Sequence, residues 1–172
     1  MKRSMKSLGL VVGLGLVTLS FSNAFALSAL PEPQSTSNYS GMLLASRSLV
    51  ISPHDHRWYA YDDGRLVKSG VASAGANYCP DIGRSCRTPR GTYSVQSKGG
   101  SGCKSTRYPV GRGGAPMPYC MFFSKNYAVH GSYDVPKNRN ASHGCVRVYP
   151  SDARWLNQDF LRIGDRVTVT SY

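Results

Sequence analysis

Five cysteines, all between residues 79 and 145, constrain the fold of this 172-residue chain more than any other feature. Cysteines pair in an oxidising compartment and stay reduced in the cytosol, so the compartment decides what they do. An odd number leaves one thiol over, which is either reactive or bonded to another chain. Any four of them allow three pairings, and sequence alone does not choose. The short spacing from residue 79 to residue 86 makes Cys79–Cys86 with Cys103–Cys120 the first expectation.

The N-terminal segment has the layout of a secretory signal peptide, which predicts that the cysteines meet oxidising conditions. Basic residues open it, Leu8–Leu19 is almost entirely apolar, and Ala24-Phe25-Ala26 supplies the small residues of a cleavage site. A membrane anchor is the alternative, but a spanning helix needs about 20 apolar residues. We therefore expect residues 1–26 to be removed, leaving no membrane anchor. The protein is then exported to the periplasm or cell wall, or secreted.

The charge balance narrows the classes of partner. Three of the 21 basic residues and none of the nine acidic residues precede Leu27, so the remaining chain has a formal charge of +9. A basic surface suits nucleic acid, an acidic membrane surface or an anionic cell-wall polymer, and export argues against nucleic acid as the partner. A solvated basic face without a specific partner is an equally good interpretation.

The pattern from residue 49 onward predicts a mainly β fold of short strands with one or two short helices. Asp62-Asp63-Gly64 lies between two β-rich runs, which is a strong hairpin indication. The spacing of apolar residues predicts a helix over Asp152–Leu161, capped by Ser151. Residues 27–48, poor in charge, are interpreted as a linker or irregular N-terminal segment, and residues 49–172 as one folded domain.

The residues that bear the chemistry are Ser142-His143-Gly144-Cys145 and, shortly before them, His130-Gly131. A cysteine nucleophile needs a base, because the thiolate is the attacking species. It also needs hydrogen-bond donors where negative charge builds up on the attacked carbonyl oxygen. Glycine at position 144 allows a sharp turn. The N–H groups of His143, Gly144 and Cys145 can then converge as an oxyanion hole, while His130 reaches the sulfur and lowers the pKa of the thiol.

Ser-His-Gly-Cys-Val-Arg, preceded by Val-His-Gly-Ser, resembles the signature of the L,D-transpeptidase catalytic domain, also called the YkuD domain. Weaker likenesses extend from Leu49 to Val169, among them Thr88-Pro89-Arg90-Gly91-Thr92-Tyr93. The family implies a β-sandwich or barrel of short strands. Arg147 stands where the family often has asparagine, and the glycine-rich loop Gly99–Gly114 with its cysteines is an addition. These departures concern substrate and acceptor more than reaction type.

By this resemblance, Cys145 is the nucleophile, His130 moves the proton and the Gly131 carbonyl orients its imidazole. His143 lends mainly its backbone N–H to the oxyanion hole. The remaining residues with an expected role are, in the turn, Ser142 and Gly144 and, as substrate contacts, Arg147 and Tyr119. Arg147 in an ordinary ion pair is an equal alternative, and packing is favoured for Tyr119.

The family acts on peptidoglycan stem peptides, so the resemblance implies 3→3 cross-linking through a cysteine thioester. L,D-carboxypeptidase activity, or a wall-binding relative with little transpeptidase activity, is the alternative. We expect a monomer that needs no cofactor or metal. A zinc hydrolase using His130, His143 and Cys145 lacks a carboxylate base apart from Asp134. A secreted cysteine protease lacks the papain-type cysteine context. His54 and His56 offer too few ligands for a metal.

Overall fold

The computed structural model describes residues 46–109 and 111–172. The predicted signal peptide, and the predicted linker up to residue 45, lie outside the described residues. Within the described part, no helix is long and apolar enough to cross a membrane. The strands there are β1 Arg47–Ser52, β2 Arg57–Asp62, β3 Arg65–Ser73, β4 Gly91–Ser94, β5 Ser97–Lys98, β6 Met121–Ser124, β7 Tyr127–Gly131, β8 Val146–Val148 and β9 Arg166–Val169.

The predicted hairpin is confirmed in its position and its turn. Strands β1, β2 and β3 pair antiparallel in sequence order. Asp63 and Gly64 connect β2 to β3 with φ values of 47° and 77°. Two consecutive positive φ values make a turn whose twist matches that of the flanking strands, which is why Asp-Gly is favoured there. Strand β1 begins at Arg47, so the sheet starts two residues inside the predicted linker.

The strands form one curled sheet in the order β4-β9-β1-β2-β3-β8-β7-β6-β5. This confirms the mainly β fold, and the curl makes the sheet a half-barrel. The pairs β1–β9 and β7–β8 are parallel, whereas the other neighbouring strands run antiparallel. The largest fully buried side chains include Trp58, Phe123 and Leu156, which belong to one hydrophobic core. The catalytic motif lies beside the parallel pair β7–β8.

The helical segment differs from its prediction. Helix α1 runs from Pro150 to Trp155, and a π-helical turn continues it from Leu156 to Phe160. The helix begins before Ser151, and Tyr149 at its N-cap makes no side-chain capping hydrogen bond. Pro150 starts the helix instead, because its fixed φ suits the first turn and its missing N–H would have had no partner there.

Two disulfides close loops in the described part of the chain, at residues 79–86 and 103–120. Cys79 is bonded to Cys86 and Cys103 to Cys120, so the first expected pairing is confirmed. Cys145 is the free cysteine and is half-buried. The longer loop also holds main-chain hydrogen bonds across its base, for example from the Met117 N–H to the Cys103 carbonyl at 2.9 Å.

Candidate active site

The turn that carries Cys145 is anchored to the sheet through Ser142. The Ser142 N–H donates to the Ala74 carbonyl at 3.0 Å, and its own carbonyl accepts from the Ala76 N–H at 2.8 Å. Its hydroxyl donates to the Cys145 carbonyl and accepts from the Gly144 N–H at 3.0 Å. Ser142 therefore fixes both ends of the tetrapeptide from its own position. We call Ser142–Cys145 the catalytic turn.

Strand β7 delivers His130 to the site. The parallel register aligns His130 with Arg147, two residues beyond Cys145. The imidazole is only 6% exposed, and its Nδ1 lies 2.9 Å from the Gly131 carbonyl. A carbonyl accepts, so Nδ1 carries the proton and Nε2 is left with a lone pair. Burial is the main reason that the pKa of His130 falls to about 4, with Arg147 adding to the shift and the Gly131 bond opposing it.

Burial also acts on the nucleophile. It raises the pKa of the Cys145 thiol, although the Ala128 N–H and the positive charge of Arg147 act in the opposite direction. The thiol donates to the Asn126 carbonyl with an Sγ–O distance of 3.6 Å. The expectation that His130 lowers the pKa of the thiol is therefore not met. Loss of hydration favours the neutral thiol and the neutral imidazole in the pocket that both side chains line.

Of the three backbone N–H groups expected to form the oxyanion hole, one already has a hydrogen-bond acceptor in the protein. The Gly144 N–H is already bonded to the Ser142 hydroxyl, so it is the weakest of the three candidates. Among the described residues, the N–H groups of His143 and Cys145 have no protein acceptor. The carbonyl of Gly144 faces away from the site and accepts from the buried Thr88 hydroxyl at 2.7 Å.

His143 belongs to the edge of the site rather than to its interior. Its side chain is 32% exposed, and Nε2 lies 2.8 and 2.9 Å from the two carboxylate oxygens of Asp81. The Tyr108 ring covers the imidazole, with centroids 4.6 Å apart. Asp81 comes from the loop closed by Cys79–Cys86, and Tyr108 from the loop closed by Cys103–Cys120. The His143 side chain therefore joins the two disulfide-closed loops.

Two pockets meet at Cys145. The larger, of about 300 Å³, lies under the two disulfide-closed loops. Its charged lining residues are all basic in the described part of the chain: Arg84, Lys104, Arg107 and Lys125. The smaller, of about 200 Å³, contains the motif residues His130, Ser142, His143 and Cys145 together with the Asp134–Arg147 pair. Cys145 is thus accessible from one pocket that is positively charged and from another in which the charges of Asp134 and Arg147 balance.

The two predicted substrate contacts lie in different surroundings. Arg147 lines the smaller pocket and donates to the Asp134 carboxylate at 2.7 Å, in a pair that is mostly exposed on the aspartate side. Tyr119 instead packs against the main hydrophobic core and is not among the residues that line either pocket. Packing is the role that its surroundings support.

One group of metal-ligand types comes together in the described residues. It consists of Cys79, Asp81 and His143, whose potential ligand atoms lie within 4.8 Å of one another. The Cys79 sulfur is bonded to Cys86, so it is not a thiolate. That leaves a carboxylate and an imidazole already bonded to each other, which is fewer ligands than a zinc site uses.

Fold and site together define a mainly β domain whose free cysteine and buried neutral histidine line one pocket. The model of the L,D-transpeptidase catalytic domain (YkuD) matches residues 46–169. The chain belongs to this family. A comparison with curated proteins gives no match.

Several solved L,D-transpeptidase structures are similar to the chain. One from Xylanimonas cellulosilytica is 33% identical, with a TM-score of 0.62, over 73% of this chain and 60% of that one. One from Mycobacterium tuberculosis H37Rv is 26% identical, with a TM-score of 0.60, over 74% and 58%. M. tuberculosis L,D-transpeptidase 3 with a faropenem-derived adduct is 24% identical, with a TM-score of 0.60, over 74% and 61%. The chain spans about three fifths of the length of these structures.

Sequence reasoning missed three residues that hold the site together: Asp81, Thr88 and Tyr108. Thr88 lies in the segment that resembles the family, but nothing there indicates that its hydroxyl reaches Gly144, 56 positions away. Asp81 lies between two bonded cysteines in a short loop, where an acidic side chain is ordinarily expected to face solvent. These contacts join residues that are far apart in the sequence, so no local sequence pattern indicates them.

Proposed function

We propose that this protein transfers acyl groups between peptidoglycan stem peptides through a thioester at Cys145, forming 3→3 cross-links. The observation that carries the proposal is that Cys145, the free thiol, lines the same pocket as the buried neutral His130. The catalytic turn adds free N–H groups at the nucleophile. Family membership supports peptidoglycan peptides as the substrate class.

The protonation states suggest how the first step runs. The sulfur attacks the carbonyl carbon between the third stem residue and D-alanine while His130 Nε2 takes the thiol proton. The new S–C bond places the carbonyl electron pair on oxygen, where the Cys145 N–H can donate. Collapse breaks the C–N bond, and the proton on His130 passes to the departing amine. Because thiol and imidazole are both neutral at rest, proton transfer accompanies attack instead of preceding it.

The charges of the two pockets favour cross-linking over hydrolysis. The cationic pocket suits the carboxylates of the stem that is attacked. The smaller pocket has Asp134, 74% exposed on its side chain, which suits the ammonium group of an incoming stem. That amine, once deprotonated, attacks the thioester and restores the thiol. Water in its place gives L,D-carboxypeptidase activity, which is the alternative.

A purified tetrapeptide stem and mass analysis of the products test the proposal. We expect a dimer that weighs two stems less one D-alanine, and a transient adduct of one acyl tripeptide on the protein. Cys145→Ala should form neither product. Tripeptide without dimer would identify a carboxypeptidase. The absence of every product from a folded, alkylatable protein would reject acyl transfer on stems, and inhibition by a chelator would favour the zinc alternative.

We also propose that the protein is exported after cleavage behind Ala26 and works as a monomer in the periplasm or wall. The two disulfides support an oxidising compartment. N-terminal sequencing of the exported protein should begin at Leu27. Recovery of exported protein that still begins at Met1 would contradict cleavage.

A further inference from the structure

A closed set of four hydrogen bonds lies directly behind the catalytic turn. The Thr88 N–H donates to the Tyr172 hydroxyl at 2.7 Å, and that hydroxyl donates to the Gly75 carbonyl at 2.8 Å. The Gly75 N–H donates to the Thr88 hydroxyl at 2.9 Å. The Thr88 hydroxyl in turn donates to the Gly144 carbonyl at 2.7 Å. Residues far apart in the sequence are thereby connected to the peptide that precedes the nucleophile.

The donor directions in this set are fixed. A hydroxyl has one proton, and Thr88 already accepts from the Gly75 N–H, so its proton goes to the Gly144 carbonyl. The Tyr172 hydroxyl likewise accepts from one backbone group and donates to another. Burial raises the pKa of Tyr172 further above its usual value, so it remains a neutral donor. Thr88 is 1% exposed, which leaves water no place to substitute for its contacts.

The hydrogen bond from Thr88 to Gly144 affects the active site because the Gly144 carbonyl and the Cys145 N–H belong to the same peptide. In a trans peptide the carbonyl and the following N–H point in opposite directions. Holding the Gly144 carbonyl toward Thr88 therefore holds the Cys145 N–H toward the opposite side, and this is one of the two free donors of the turn. Gly144 has a φ of 123°, and because glycine has no Cβ its own sterics do little to fix the orientation of this peptide. An added Cβ would also lie 2.7 Å from the Tyr127 ring.

We propose that Thr88, supported by Tyr172, is a positioning residue that aims the Cys145 N–H at the carbonyl oxygen of the substrate. Thr88 touches neither the substrate nor the sulfur. It acts by fixing one peptide plane before the reaction, so that the donor needs no rearrangement when negative charge develops. The inference rests on the proposed acyl-transfer function for its physiological meaning, but the geometry applies to any acylation of Cys145.

Two reagents separate this role from a general structural one. Acylation by a small activated ester such as p-nitrophenyl acetate builds negative charge on a carbonyl oxygen. Alkylation by iodoacetamide attacks a saturated carbon and needs no oxyanion donor. Thr88→Val keeps the shape and loses the hydroxyl, Thr88→Ser keeps the hydroxyl, and Thr92→Val is a matched change at an exposed threonine of β4.

We expect Thr88→Val to slow acylation of Cys145 about 10- to 100-fold, below the loss seen when an oxyanion donor is removed outright. Its alkylation rate should stay within about twofold of the unmodified protein. Thr88→Ser should restore most of the acylation rate, Tyr172→Phe should lie between, and Thr92→Val should match the unmodified protein. With the stem peptide, Thr88→Val should lower kcat and leave KM nearly unchanged.

Parallel loss of acylation and alkylation in Thr88→Val would overturn the proposal, because it would place the damage in the whole turn. Unchanged acylation in Thr88→Val would overturn it as well. If Thr88→Val slows ester acylation selectively while the unmodified protein leaves stem peptides untouched, the positioning role stands and the proposed physiological substrate fails. Thermal unfolding of each variant shows that the folded proteins are being compared.

Discussion

Two regions around Cys145 are held together by different forces. The floor, consisting of β7, β8 and the catalytic turn, is built from parallel strand pairing, backbone hydrogen bonds and fully buried side chains such as Val146. The rim consists of the two disulfide-closed loops, residues 79–86 and 103–120. The side-chain contacts that His143 makes with the rim are a partly exposed hydrogen bond to Asp81 and a tilted contact with the Tyr108 ring. The floor therefore suits chemistry that needs fixed atoms, and the rim suits selection among substrates.

The largest difference between floor and rim is expected for the two histidines, because His130 lies on β7 whereas the His143 side chain contacts the rim. His130→Gln should lower turnover about 10²- to 10⁴-fold, the usual loss for a proton-transfer group. His143→Gln, the same change in a partly exposed residue that is proposed to contribute its backbone N–H, should cost no more than about tenfold. Steady-state kinetics with a stem peptide measure both. Loss of turnover in His143→Gln with near-normal His130→Gln would reverse the assigned roles.

The burial of His130 predicts a pH dependence of stability that belongs to the floor. The pKa of His130 is about 4 in the folded protein and 6.5 as its ordinary value. Between these values the unfolded chain holds the extra proton, so the free energy of unfolding falls as pH falls from about 6.5 to about 4. The contribution amounts to about 3 kcal/mol from that difference in pKa.

Urea unfolding at a series of pH values measures this contribution against His130→Gln, in which that contribution should be missing. Other groups titrate in both proteins, so the difference between the two curves is the quantity of interest. Turnover should have its acid limb near pH 4, because His130 must be neutral to accept the thiol proton. Equal pH slopes in both proteins would mean that His130 ionises freely in the fold.

The parts of the molecule that sequence predicted are those fixed by local rules. The β2–β3 hairpin follows from Asp63-Gly64, because its turn needs two residues tolerant of positive φ. Cys145 stands out by the odd cysteine count and its motif. The helix α1 begins at Pro150 rather than after Ser151, because proline also suits the first turn of a helix. The raised pKa of the thiol was also missed, because burial depends on the whole fold. Contacts such as Thr88 with Gly144 have no local pattern at all.

The positive charge of the rim predicts a smaller effect on substrate capture. Arg84→Glu should lower kcat/KM for a stem with free carboxylates about three- to tenfold at low salt, mainly through KM, since exposed charges contribute little individually. Arg90→Glu makes the same charge change at a residue that lines neither of the two pockets containing Cys145. It should therefore have little effect on kcat/KM. Raising the ionic strength should reduce the difference between the two variants. Equal losses in both would indicate a general effect of net charge.

The smallest expected effect concerns the pair that joins rim to floor. Asp81→Asn keeps the size of the side chain and removes its charge. The partners are 32% and 49% exposed on their side chains, and such pairs contribute about 0.2–1 kcal/mol. We therefore expect turnover to fall less than about fivefold and the thermal midpoint to drop by a few degrees at most. The Tyr108 ring should still contact the imidazole, so the N–H of His143 should stay in place.

Asp81→Asn is informative because a catalytic role for the Asp81–His143 pair predicts a large loss of turnover. If the carboxylate served to make the His143 imidazole a base, in the way that a buried aspartate orients a catalytic histidine, its loss would cost about as much as loss of His130. The pH profile of turnover separates the two cases. A simple rim contact leaves the acid limb near pH 4 unchanged, because His130 still sets it. An acid limb that moves together with a large drop in kcat would transfer the proton-accepting role to His143, and the division between floor and rim would no longer hold.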